Sequence, residues 1–115
     1  MKITTGIGGW PGQAGARAKA AEERGFDMVS CGELAHDSML TMALAAAETE
    51  KIELLTSVTI AFPRSPLVLA MEAWDIQQLS EGRFSIGLGS QVKGHNERRF
   101  GGTWTAPAPR MKEYI

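Results

Sequence analysis

The 115 residues carry 43% hydrophobic and 22% charged side chains, enough apolar material for one buried core and too little charge for a disordered tail. A formal net charge of −1 removes any compositional case for nucleic acid or an anionic membrane surface, and the one tight basic pair, Arg98-Arg99, reads as a solvated face. The single cysteine, Cys31, cannot close an internal disulfide. Neither a signal-peptide core nor an apolar run near the roughly 20 residues of a membrane span is visible, so a soluble, cytoplasmic single domain over residues 1–115 is expected.

Strand-like and helix-like segments alternate along the chain. A strand is predicted over residues 3–7, followed by a helix over about 13–24 with Ala14, Ala18 and Ala21 on one face. Gly25 supplies the left-handed stop. A second strand covers residues 28–31, and the next helix starts at Asp37 or Ser38, either of which can cap the free first-turn amides. Leu40, Ala43, Leu44 and Ala47 form its expected buried stripe. The third strand runs over 52–58, and Ser65-Pro66 opens a helix expected to bury Leu67, Ala70, Met71 and Trp74. The fourth strand covers 84–88, and residues 110–115 read as the start of another helix.

Strands separated by helices imply a parallel sheet, because parallel neighbours need a crossover. Strand starts recur at intervals of about 25 to 32 residues, one βα unit each. The rhythm suits a doubly wound sheet or an eight-unit barrel. A (β/α)8 barrel takes about 250 residues, so the expected architecture is α/β, the N-terminal half of such a barrel: four βα units of a truncated chain.

In both architectures ligands bind beyond the C-terminal strand ends. Gly87-Leu88-Gly89 follows the fourth strand, but Val92 holds the position of the third glycine and the unit is not the first, which argues against a dinucleotide loop. Glu33, His36 and Asp37 cluster after the second strand, where a carboxylate and an imidazole could share proton transfer. By spacing alone the plainer reading is preferred: Asp37 caps the helix and His36 sits on a loop surface. His95 could join them across the strand ends, but two histidines and a glutamate do not make a metal site, and none is expected.

The run Gln78-Leu79-Ser80-Glu81-Gly82-Arg83-Phe84-Ser85-Ile86-Gly87-Leu88-Gly89-Ser90 resembles the signature of the luciferase-like monooxygenases, the superfamily of bacterial luciferase and the F420-dependent oxidoreductases. Gly25-Phe26-Asp27 and Pro63-Arg64-Ser65-Pro66 are similar to that family too, and the match spans essentially the whole chain. Residues 33–37, 89–100, Trp104 and 110–114 resemble an actinobacterial-type branch assigned to the deazaflavin coenzyme F420.

The resemblance implies hydride transfer between F420 and a small organic substrate. Its alternatives are an FMN-dependent monooxygenase served by a reductase partner, and a non-catalytic flavin-binding relative. It implies a bulge with a non-proline cis peptide at Ser57-Val58, behind the cofactor ring, and a loop at Ser90, Gln91 and Val92 that meets the ring's polar edge. Glu33 matches the acidic position beside the reactive centre. Relatives often carry histidine directly after it, where this chain has Leu34, so His36 is the substitute acid or base. The cofactor's phosphate tail is expected on later strands, and the full protein is expected to be a homo-oligomer.

Overall fold

The computed structural model describes residues 1–115. Strands β1 (Thr4–Gly6), β2 (Met28–Cys31) and β3 (Glu53–Thr56) are followed by β4 (Thr59–Ile60), a continuation of β3 after a two-residue break. In the same way β5 (Phe84–Ser85) resumes as β6 (Leu88–Gly89). The sheet runs β1-β2-β3-β5 with every pair parallel, and β4 pairs in parallel with β6. Neighbours in space are therefore neighbours in sequence. A doubly wound sheet reverses its order at a switch point, so the order seen here is that of consecutive barrel staves.

The crossovers are α1 (Ala14–Glu23), entered through a 3-10 turn at Pro11–Gln13, then α2 (Ser38–Glu48) and α3 (Pro66–Leu79). The shorter α4 (Lys93–Arg98) and α5 (Pro107–Tyr114) follow the last strand. Helix α1 packs on α2 and α2 on α3, so the helices follow the strands in order. Ala14, Ala18 and Ala21 are buried as their spacing predicts, and Gly25 adopts φ +83° where α1 ends. Asp37 caps α2 by accepting the Leu40 amide at 2.7 Å, and Pro66 occupies the first turn of α3.

Val29, Leu54, Met42 and Ala45 form the centre of the core, all fully buried between sheet and helices. Burial of Leu54 and Met42 contributes roughly 1.5–3 kcal/mol each. Along β2 and β3 the buried positions are Val29, Cys31, Leu54 and Thr56, while Met28, Ser30, Glu53 and Leu55 on the alternate face are half-buried.

Two helix faces differ from the sequence expectation. Helix α2 buries Met39, Met42, Ala45 and Ala46, whereas Leu40 and Leu44 of the expected stripe are 52% and 37% exposed. Its sequence is apolar nearly all round, so periodicity cannot select a face. The buried face is the one that packs on α1, α3 and the sheet, and on it the Ser38 hydroxyl meets that of Thr59 at 2.8 Å. Helix α3 buries Leu69 and Ile76, whereas Leu67, Met71 and Trp74 stand 71%, 59% and 66% exposed. Again two apolar faces compete, and the one that meets α2 and β5 wins.

Candidate functional site

Beyond Thr56 the third strand is interrupted. The Ser57–Val58 peptide bond is cis, at the position the family resemblance implied, and both residues are exposed. The ladder is re-formed around the break: Ser57 N–H donates to Cys31 O at 2.7 Å, and Thr59 N–H to Gly87 O at 2.7 Å. The Thr56 hydroxyl spans the gap, accepting from Gly87 N–H at 2.9 Å and donating to Gly87 O at 3.1 Å. A side chain at Gly87 would overlap the Thr56 carbonyl, and one at Gly89 would overlap Val58. The Gly-x-Gly pair is thus a close-approach device between two strands. It leaves Val58 40% exposed beyond the C-terminal end of β3.

Glu33, at the end of β2, is placed differently from a free acid. Its Oε1 accepts from Ser38 N–H at 3.1 Å, from the Ser38 hydroxyl at 3.0 Å and from Arg64 at 2.5 Å. Its Oε2 accepts from Ile60 N–H at 2.7 Å and from Arg64 at 2.9 Å. The carboxylate is 7% exposed and its lone pairs are engaged. Arg64 also pairs with Asp37 at 2.5 Å and donates to Ile60 O at 3.0 Å. Burial disfavours the guanidinium charge, but Glu33 and Asp37 outweigh it and raise the Arg64 pKa. Burial, with the charges of Glu33 and Asp37 added, pushes the Cys31 thiol up to about 11, so Cys31 is a protonated core residue and not a nucleophile.

His36 lies exposed on the loop between Glu33 and Asp37. Its ring meets Trp10, from the β1–α1 connection, edge-on at 5.7 Å between centroids. Two openings share Leu34, Ala35 and His36. One of about 180 Å³ is closed by Ile60, Arg64, Arg99 and Phe100; the other, of about 390 Å³, runs along Gly8, Gly9, Cys31, Gly32 and Thr41. Arg99 donates to the Leu34 carbonyl. From the fourth unit it is therefore Arg99 and Phe100, one turn beyond His95, that line the cleft with His36.

The loop at Ser90, Gln91 and Val92 continues from β6. Gln91 takes φ +56° and its Oε1 accepts from Val92 N–H at 2.9 Å. Asn96, 2% exposed, holds the loop by donating to Ser90 O at 2.9 Å and to Val92 O at 3.1 Å. The site residues named from sequence fall into two groups. Glu33 and His36 belong to the cleft, while Ser57 and Val58 sit beside the strand that delivers Ser90–Val92. Gly32 joins the groups, since a Cβ there would stand 3.0 Å from the Ser57 carbonyl.

Arg64, Arg99, Phe100, Trp10 and Asn96 carry no role in the sequence reading. Arg64 had a usable signal. Two acids at one strand end need a cation from a neighbour, and Arg64 is the only one in the stretch 56–64. Asn96 had none, because a polar residue in a short helix reads as surface.

The family model for luciferase-like monooxygenases matches residues 4–115. The chain belongs to that family. It is 39% identical over 115 residues to an uncharacterized protein of Mycobacterium tuberculosis, covering 100% of this chain and 34% of that one. A second M. tuberculosis protein, named "Putative coenzyme F420-dependent oxidoreductase", is 32% identical over 120 residues, covering 100% of this chain and 35% of its own. The chain thus spans about a third of the length of these curated relatives. Among solved structures it resembles monooxygenase RslO1 of Streptomyces bottropensis, with a TM-score of 0.83 and 23% identity over 99% of this chain and 40% of that one. The F420-dependent tetrahydromethanopterin reductase of Methanopyrus kandleri gives a TM-score of 0.79 and 24% identity over 99% and 37%. The oxygenating constituent of 3,6-diketocamphane monooxygenase from Pseudomonas putida, in complex with FMN, gives 0.74 and 20% over 88% and 32%. At these identities the structural matches establish the fold: four staves of a luciferase-like (β/α) barrel.

Proposed function

We propose that the protein is an oxidoreductase that binds coenzyme F420 against Ser57-Val58 and transfers hydride to or from a small organic substrate. The observation that carries this reading is the exposed bulge at Ser57-Val58, backed by Gly87 and Gly89 and flanked by the His36 loop. The deazaflavin would supply the hydride chemistry, while the protein orients it and excludes water. Ser57 and Val58 form the back wall. The loop at Ser90, Gln91 and Val92 offers the ring's polar edge the Ser90 and Gln91 amides and the Gln91 carbonyl, the other backbone groups of the loop being engaged within the chain. His36, exposed beside the cleft, is the group placed to hold or deliver a proton at its imidazole nitrogen. Glu33 has no lone pair left for that work, and its part is to hold the loop. The F420 assignment is supported by the second M. tuberculosis relative.

FMN is the second reading, favoured by the FMN-bound fold relative; it adds a flavin reductase as partner. A non-catalytic flavin-binding role is the third, favoured by Leu34 where relatives often have histidine. Titration of the full protein with each reduced cofactor, followed by fluorescence, separates the first two. Saturable F420 binding is expected, and tight FMN binding without F420 binding would overturn the assignment. His36→Gln is expected to lower turnover by about 10²-fold with cofactor affinity retained; unchanged turnover removes His36 from the mechanism.

A further inference from the structure

We propose that Arg64 is a positioning residue that sets the pose of His36 by closing the β2–α2 loop at both ends. No amide or carbonyl of residues 32–36 takes part in a backbone–backbone hydrogen bond, so the loop has no ladder or turn of its own to hold it. Side chains hold it instead. One guanidinium bonds Glu33 at the loop's start (2.5 and 2.9 Å) and Asp37 at its end (2.5 Å), with His36 suspended between them.

Arg64 is itself fixed. It donates to Ile60 O at 3.0 Å, and its own carbonyl accepts from the Tyr114 hydroxyl at 3.1 Å. Glu33 reaches the same segment through Ile60 N–H. The loop that carries the proton-handling group is therefore tied to the strand that resumes just after Ser57-Val58. A flexible loop would leave the imidazole to sample many poses. The planar fork, with two acids to satisfy, selects one. In this role Arg64 acts through the loop, its guanidinium taken up by Glu33, Asp37 and the Ile60 carbonyl.

The consequence for turnover rests on the oxidoreductase reading, whereas the loop geometry does not, and the experiment keeps the two apart. In the full protein, the Trp10–His36 ring contact is read by a nuclear Overhauser cross-peak in the wild type, Arg64→Lys, Arg64→Met and Asp37→Asn. Asp37→Asn keeps a helix cap while weakening the arm to Arg64, which covers the case in which Arg64→Met fails to fold. The expected result is loss of the cross-peak in Arg64→Met, partial recovery in Arg64→Lys and weakening in Asp37→Asn. A matching fall in turnover of about 10²-fold is expected for Arg64→Met, with cofactor affinity nearly unchanged. A cross-peak of full intensity in folded Arg64→Met, or in Asp37→Asn, would overturn the positioning role. If the wild type binds neither cofactor, the functional reading falls while the cross-peaks still judge the clasp.

Discussion

The two ends of the sheet are both held by charged side chains, yet they use them in opposite ways. At the N-terminal end Arg83 donates to the carbonyls of Ser80, Ile52 and Thr49, each at 2.8 Å, and to the Thr49 hydroxyl at 2.9 Å. Glu22 there accepts the amides of Lys51 and Ile52 at 2.5 and 2.8 Å and that of Glu50 at 3.1 Å. Each charge is matched by backbone groups of a short loop. At the C-terminal end Glu33, Arg64 and Asp37 satisfy one another, and the backbone they hold presents an exposed imidazole, a cis bulge and two openings. One end commits its charges to loop backbone and the other to a side-chain cluster, and it is beyond the C-terminal strand ends that parallel barrels bind their ligands.

The largest break in this contrast is expected from Arg83→Met. It strands the carbonyls of Thr49 and Ile52, and a cost of about 3 kcal/mol follows from losing several charge-assisted bonds. Urea unfolding checks the value, and cofactor affinity per folded molecule should stay at the wild-type level. Loss of affinity in a still-folded variant would show that the ends are coupled. Gly87→Ala acts from the other side. Its methyl overlaps the Thr56 carbonyl, so β3 and β5 must separate at the bulge. About 2 kcal/mol of destabilisation is expected, with cofactor binding weakened beyond what the unfolded fraction explains.

The smallest effect is a pH dependence. Burial alone would raise the Glu22 carboxyl, but the amides of Lys51, Ile52 and Glu50 and the charge of Arg83 outweigh it and hold it below 4.5. A depressed carboxylate stabilises the fold fully above its unfolded value, and the contribution disappears as pH falls through the folded one. The stability difference between wild type and Glu22→Gln should therefore be constant above about pH 5 and shrink on acidification below 4.5. A difference independent of pH from 3 to 7 would contradict the three-amide arrangement.

Local chemistry was legible before any coordinates. The strand at Met28–Cys31 falls at its predicted bounds, Gly25 takes the left-handed turn, and Asp37 caps its helix, because each depends on neighbours within a turn or so. The parallel sheet followed from the strand–helix rhythm, and the site of the cis bond followed from the family resemblance. Helix faces were not legible. In α2 and α3 apolar residues surround the axis, so the pattern allowed two burial solutions and only packing against the neighbouring helices and strands chose between them. Glu33 shows the same limit at the site. Its residue type and place at a strand end were readable, but whether its oxygens stay free depends on Arg64, 31 residues away.

By itself the sequence determined the order of elements, the family, and the four short stretches from which a site could be built. Those are properties of near neighbours along the chain, set by backbone sterics, capping and period. The tertiary structure decided which of the candidate acids is consumed in holding a loop and which imidazole that loop presents. That decision depends on charges and amides brought together across strands, and burial makes their mutual satisfaction obligatory.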